Sequence, residues 1–587
     1  MSAGSDPGAP AASRTRGAEV RSRRRVRPGA WLGWGLAAGL PLLFLGVFFA
    51  WPVVALVVQG FFADDGVGGR VLDLSGFAEV LSRPRTWRVV GQTLAQASVG
   101  TVVSVLLGLP AAYVLYRCRF PGRTLARALV TVPFVLPTVV VGVAFRALFA
   151  PSGALGGLGF EASFAGIVVA LVFFNYAVVV RTVGGLWERL DPRAEQAARS
   201  LGATPWRAFR TVTLPALGPA IASAASVVFL FCSTAFGVVL VLGGTRYGTI
   251  ETEIWIRTTQ FLDLRSAAVL SVLQLVVVAT ALVVSSRLRT GRERALALNS
   301  DRSAAHRLDL RRAADALPAA ATAVVVAVLL VLPLAGLVAR SFQGPDGTWG
   351  LDNYVALGTT GGRNALTVTV WEATATSLRT ATLAALLAVV IGGLVALVVS
   401  RRPRSAGLRR TVGVLDGVFM LPLGVSAVTV GFGFLITLDR PLGFDVDLRT
   451  SGLLVPIAQA VVAIPLVVRT VLPVLRAVDP RLREVAATLG AAPGRVLRTV
   501  DGPLAARSLG LAIGFAFAVS LGEFGATSFL ARPDAATLPV VIFRLIGQPG
   551  AQNYGMALAA SVVLAALTAG VMMVAERLRG DAAGGEF

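Results

Sequence analysis

Polar and apolar positions in this chain are grouped in long blocks rather than alternating residue by residue. A helix needs roughly 20 apolar residues to cross a bilayer. Twelve blocks meet that length, near 31–59, 90–116, 128–150, 164–185, 216–242, 265–285, 318–339, 376–400, 411–437, 452–475, 505–530 and 554–576. The second and eighth carry polar residues near their starts. The pattern predicts an all-α polytopic membrane protein of about 12 transmembrane helices, the one common way to span lipid with every backbone group paired inside its own segment.

One polar stretch occurs twice. Asp191-Pro192-Arg193 leads into Gln196-Ala197-Ala198-Arg199-Ser200-Leu201-Gly202-Ala203-Thr204-Pro205. After a shift of 288 positions, Asp479-Pro480-Arg481 leads into Glu484-Val485-Ala486-Ala487-Thr488-Leu489-Gly490-Ala491-Ala492-Pro493. Pro215 and Pro503 follow at matching places. A repeat at nearly half the chain length reads as two copies of one six-helix unit, with parallel topology. The division expected is a disordered Arg-rich tail over 1–30, a first unit over 31–285, a linker over 286–317, a second unit over 318–577 and a tail over 578–587.

Each copy of the loop reads as two short helices with a break. Ala197-Ala198 and Ala486-Ala487 favour helix, Gly202 and Gly490 suit a left-handed helix end, and Pro205 and Pro493 suit the opening of a second helix. Leu201, Trp206 and Phe209 in one copy, and Leu489, Val496 and Leu497 in the other, interleave with Arg207, Arg210, Arg495 and Arg498. Such a pattern fits an amphipathic element that docks in a partner's groove. Headgroup anchoring would explain one Arg-rich loop, but not two in register.

Composition agrees with the block pattern: 55% of residues are hydrophobic and 15% charged, and the mean hydropathy is +0.74. A net charge of +22 would suggest nucleic acid in a soluble chain. Here the arginines lie in loops between apolar blocks, so lipid headgroups are the expected contact and no nucleic acid is. With the N-terminus in the cytoplasm, 39 of the 54 arginines fall in segments on the inside. The positive-inside rule therefore puts both termini, and both repeated loops, in the cytoplasm. The run from Trp31 is too long for the core of a cleaved signal peptide and reads as a retained helix. Outside loops reach only about 36 residues, too short for an ordinary domain.

The chain has no lysine, so it cannot contain the Gly-x-x-x-x-Gly-Lys phosphate loop. Any ATP hydrolysis belongs to another polypeptide, and the chain itself is not expected to be an enzyme. The cysteines Cys118 and Cys232 and the single histidine His306 are far apart in sequence, and no metal site or cofactor is expected from them.

The doubled loop resembles the EAA loop of permease subunits of binding-protein-dependent ABC importers. In that pattern Glu-Ala-Ala is followed after three residues by Gly, and later by a Leu-Pro. The second copy has Glu484, Ala486 and Gly490, with Val485 in place of an Ala. The first has Ala197, Ala198, Gly202 and Leu214-Pro215, but Gln196 stands at the Glu position and Glu195 lies one residue early. The resemblance implies a type I ABC importer permease fold in a bacterial inner (plasma) membrane. It also implies two copies of a cytoplasmic ABC ATPase subunit seated on the loops, and an extracytoplasmic substrate-binding protein. The fused two-unit arrangement is similar to permeases for thiamine and for ferric iron. Phe231-Cys232-Ser233-Thr234-Ala235-Phe236-Gly237 with Thr249-Ile250-Glu251, Ser520-Leu521-Gly522-Glu523-Phe524-Gly525-Ala526 with Thr537-Leu538-Pro539, and Phe120-Pro121-Gly122-Arg123 lean toward thiamine or a related small solute.

Candidate pathway residues are asymmetric or paired. Glu523 is an acid late in the eleventh block, with Ala235 as its repeat equivalent. Substrate contact and structural pairing both remain open for it, because it falls near the outer interface. Phe236 and Phe524 are equivalent and could line or plug the path, or pack the halves together. Asn175 and Tyr176 interrupt the fourth block, where their equivalents are Ala463 and Ile464; they face the pathway or bond between helices. An ion-coupled secondary transporter is the rival class, but it would need more intramembrane charges and leaves the doubled loop unexplained. A membrane enzyme is poorly served by one histidine and scattered acids.

Overall fold

Long apolar blocks become long helices. The computed structural model describes residues 28–64, 70–244, 246–290, 306–344, 346–401, 406–439 and 447–580. The expected disordered tail as far as residue 27, the middle of the linker (291–305) and the end of the C-terminal tail (581–587) lie outside the described residues. Among these, nine helices are long and apolar enough to cross a membrane: Gly35–Phe61, Pro84–Arg117, Phe164–Trp187, Pro205–Ser233, Leu264–Val284, Ala313–Ser341, Val370–Val399, Leu454–Ala477 and Ala551–Arg577. Two bent pairs, Arg123–Phe134 with Thr138–Phe149 and Pro493–Ala506 with Ser508–Leu521, raise the number to 11 if each pair is one span.

The ninth expected span, 411–437, is not one helix. It forms Ala406–Met420 and Ala427–Thr437 around a 3-10 turn, Leu421–Gly424. The equivalent block of the first unit breaks at the same repeat position, through the 3-10 turn Val132–Phe134, and bends by 101°. Proline contributes to both: Pro133, Pro137 and Pro422 have no N–H to donate to the helix ladder, although Val132 ahead of Pro133 keeps helical angles. The second and eighth blocks, by contrast, extend through their polar starts into helices of 34 and 30 residues. Thr369 and Glu372 close a capping box at the start of the latter.

The duplication is visible in three dimensions. Leu214–Ser233 matches Gly502–Leu521, and Ile250–Thr259 matches Leu538–Gly547, at the 288-residue shift. Many hydroxyls buried in the helices bond the carbonyl four residues back, as Thr93 does to Val89 at 2.7 Å and Thr568 to Leu564 at 2.7 Å. These residues thereby stay satisfied where water is absent.

Units defined by sequence are not the units that pack. The helix Gly35–Phe61 opens the first unit, yet its Leu45 and Phe49 join the core of the second, with Ile391, Phe434 and Val461. The helix Ala313–Ser341 opens the second unit, yet its Leu329 and Leu330 join the core of the first, with Leu171, Tyr176 and Val180. The two units exchange their opening helices. A third core runs between them and holds Val139, Phe236 and Ile254 of one with Val428, Phe524 and Ile542 of the other.

Two small strand pairs complete the structure. Phe62–Asp64 and Arg70–Leu72 form an antiparallel hairpin, and Cys118–Arg119 pairs in parallel with His306–Arg307.

Candidate functional site

Both repeated loops fold alike, because the same residues impose the same local geometry. Asp191 and Asp479 each accept the backbone N–H two residues on, at 2.9 Å, and start the helices Arg193–Ser200 and Pro480–Thr488. Each helix ends in a Schellman arrangement. Ala203 N–H donates to Ala198 and Gly202 N–H to Arg199; Ala491 N–H donates to Ala486 and Gly490 N–H to Ala487. Gly202 and Gly490 sit at φ +89° and +81°, where a side chain is strained. Pro205 and Pro493 then open the short helices Pro205–Ala208 and Pro493–Val496.

Neither first helix buries any residue. Leu201 is 88% exposed and Leu489 82%, with Trp206 and Val485 also exposed. Gln196, Ala197, Glu484 and Ala487 are exposed, whereas Ala198 and Ala486 are half-buried. A bare Leu at the same turn of both copies is an apolar surface left uncovered by the described residues.

The early acid of the first loop has its own explanation. Glu195 does not stand in for the missing glutamate. Its carboxylate accepts from the Thr213 hydroxyl at 2.8 Å, tying the loop to the helix that follows. The repeat equivalents of that pair are Arg483 and Asp501, joined at 2.7 Å, with Arg401 on the other carboxylate oxygen at 2.8 Å. Position 195 is therefore a bracing position, and the outward acid exists only in the second loop.

A cavity of about 350 Å³ lies between the units. Both helix breaks line it, through Pro137 and Thr138 on one side and Ser426 and Ala427 on the other. Phe236 and Phe524 line it too, and their rings stack with centroids 5.4 Å apart and planes 17° apart. Trp255 and Phe543, also repeat equivalents, pack on them: Phe236–Trp255 is 6.4 Å and Phe524–Phe543 5.3 Å, with an edge contact of 5.7 Å between the outer two. Two symmetry-related aromatic pairs thus meet across the unit boundary in contact geometry favourable for aromatic rings. Gly237 permits this closeness, because a Cβ there would lie 2.6 Å from the Thr138 hydroxyl and 3.3 Å from the Phe524 ring.

Asn175 reaches the cavity, where its amide donates to the Leu171 carbonyl and to Cys232 Sγ. Tyr176 does not; it is fully buried in the core of the first unit. Glu523 lines the cavity but is already engaged. Its carboxylate accepts from the Ala526 and Thr527 N–H groups at 2.8 and 3.0 Å, and from the Thr527 hydroxyl. It braces the backbone behind Phe524 and pairs with no arginine among the described residues.

Glu251 was not singled out as a pathway candidate from the sequence. It is fully buried and accepts from the Ser426 hydroxyl at 2.7 Å, across the unit boundary. A sequence signal that could have located this region is the Pro interruption in the third and ninth apolar blocks, since interrupted segments at corresponding places in two repeats point to transporter binding sites.

Comparison with known proteins agrees with this architecture. Residues 104–290 match the family profile described as "Binding-protein-dependent transport system inner membrane component". The sulfate transport system permease protein CysT of Escherichia coli (strain K12) is 34% identical over 43% of this chain and 90% of its own length. The thiamine transport system permease protein ThiP of Brucella abortus (strain 2308) is 28% identical over 92% of this chain and 95% of its own. ThiP of Escherichia coli (strain K12) is 29% identical over 80% of this chain and 85% of its own. A solved bacterial alginate ABC transporter, in complex with its alginate-pentasaccharide-bound periplasmic protein, aligns at 16% identity. It covers 45% of this chain and 95% of the matched one, with a TM-score of 0.38, too loose a superposition to argue from. The chain belongs to the family of binding-protein-dependent ABC transporter permeases, the inner-membrane components of such transport systems.

Proposed function

We propose that this permease carries thiamine or a closely related aromatic cation inward, along the path between its two units. Both termini and both repeated loops face the cytoplasm, and each loop seats one copy of an ABC ATPase subunit. An extracytoplasmic binding protein delivers the solute on the opposite face. The stacked Phe236–Phe524 pair closes the path, and ATP-driven tilting of the units against each other opens it.

The observation that carries the docking role is the pair of bare leucines, Leu201 and Leu489, at the same turn of two superimposable loops. For the substrate, support comes from relatives that run the whole length of the chain and are named as thiamine permeases, whereas the sulfate permease matches one unit. Cavity chemistry points the same way. Phe134, Phe174, Phe231, Phe236 and Phe524 line it with Glu523, and among the described residues no cationic side chain does. Aromatic walls suit an aromatic cation and give a sulfate dianion nothing to pair with.

The test is uptake into proteoliposomes holding the permease, its ATPase and a thiamine-binding protein. Labelled thiamine should accumulate with ATP and not without it, and labelled sulfate should stay outside. Uptake driven by an ion gradient without the ATPase would overturn the importer assignment, and sulfate uptake would overturn the substrate.

A further inference from the structure

His306 is the single histidine of the chain and Cys118 one of two cysteines, 188 positions apart. Their separation in sequence gave no hint of a site, yet the fold places them side by side. They are register partners in the parallel pair Cys118–Arg119 with His306–Arg307, and Leu308 N–H extends the pairing to the Arg119 carbonyl. Asp315, in the first turn of Ala313–Val325, reaches the same point. His306 Nε2 lies 3.8 Å from Cys118 Sγ and 3.2 Å from Asp315 Oδ2. The donor atoms of all three residues lie within 4.8 Å of one another.

We propose that Cys118, His306 and Asp315 form a zinc-class metal site that staples the start of the second unit to the first. Tetrahedral zinc with ordinary bond lengths separates sulfur from nitrogen by about 3.5 Å and nitrogen from oxygen by about 3.3 Å; the two distances to Nε2 need only small adjustments, and binding would draw the thiol and carboxylate together within their 4.8 Å limit. Thiol and carboxylate both face the same ring nitrogen. A nucleophilic triad requires them on opposite nitrogens, with the acid orienting the base, so the geometry is that of convergent ligands. Cys118 is also fully buried, out of reach of a substrate.

The carboxylate is held from behind, as ligating carboxylates are. Tyr113 O–H donates to Asp315 Oδ1 at 2.7 Å, and Asp309 N–H donates to Oδ2 at 3.1 Å. Sulfur and imidazole donors select zinc-like ions over calcium or magnesium. Three protein ligands leave a fourth position for water, so the ion exchanges more readily than in a closed four-ligand site. His306 is half-exposed and forms the entry side.

The full chain, purified without a polyhistidine tag and stripped with chelator, should bind one equivalent of Zn2+ saturably. Co2+ in its place should give a thiolate-to-metal absorption band. C118S should abolish that band, C232S should keep it, and H306Q should abolish stoichiometric Zn2+ binding. Y113F, which removes the hydroxyl that donates to Asp315 and lies 3.4 Å from His306 Nε2 but leaves all three ligands in place, should weaken binding about tenfold. A native chain that takes up no stoichiometric Zn2+, or a Co2+ band that persists in C118S or disappears in C232S, would overturn the site. The contact would then be a plain His306–Asp315 ion pair.

Discussion

Single residues decide the shape of the proposed docking surface. Gly490 holds φ +81°, which costs a residue with a Cβ roughly 1–2 kcal/mol, and a β-branched one at least that. No atom lies within 4 Å of a Cβ built there, so Gly490→Val strains the turn without disturbing the membrane core. The variant should express and fold normally but retain less ATPase in pull-down and transport less per ATP hydrolysed. The second loop should be more sensitive than the first, because Glu484 gives it an outward acid where Gln196 is neutral. Normal coupling in the G202V/G490V double variant would remove the docking role from both loops. These turn residues were legible in the sequence because Asp, Gly and Pro act on their own backbone. Glu195 was not, because its partner Thr213 lies on the next helix. Glu523 was legible only as a buried acid; its use as a backbone brace depends on how the chain turns at Ala526.

At the scale of elements, the two loops are tied down unequally. Asp501 is 1% exposed and neutralises Arg483 and Arg401, whose side chains keep 16% and 27% exposure. Removing its charge takes an ion-pair partner from Arg401 and from Arg483, which keeps its bond to the Leu475 carbonyl. A fully buried pair broken this way loses about 3–5 kcal/mol; with partial screening of the arginines, about 1–3 kcal/mol is expected for Asp501→Asn. Glu195→Gln deletes no salt bridge and can still accept from Thr213, so its loss should stay under about 1 kcal/mol. Thermal unfolding of the two purified variants, with limited proteolysis at the loops, checks the ranking; equal destabilisation would mean the two ties are equivalent. Most helices could be read directly from apolar length. The broken blocks 128–150 and 411–437 show the limit of block hydropathy. Leu421-Pro422-Leu423-Gly424 is apolar enough to pass, but Pro422 breaks the ladder, and the break faces the cavity.

For the molecule as a whole, the exchanged opening helices matter most. Sequence repetition suggested two self-contained units joined by a linker, and the repeat could not reveal which core each opening helix enters. Leu45 and Phe49 fill the second core, Leu329 and Leu330 the first, and each is buried. Lipid solvates apolar side chains as well as protein does, so these contacts hold through close packing rather than hydrophobic force, and packing is lost outright when the partner is missing. It follows that neither unit is complete without the other, whether or not the linker is intact. A chain divided after Ser300 tests this. Its two pieces expressed together should co-purify as a stable one-to-one complex, while each piece expressed alone should be degraded or aggregate. Two pieces that purify separately as folded, monodisperse proteins would show that the exchange adds nothing to stability. If the co-expressed pieces also restore ATP-driven uptake, the linker serves to keep the copies together and the exchanged helices serve to join them. In the proposed transport cycle, tilting that opens the Phe236–Phe524 pair must then carry each unit with an opening helix borrowed from the other.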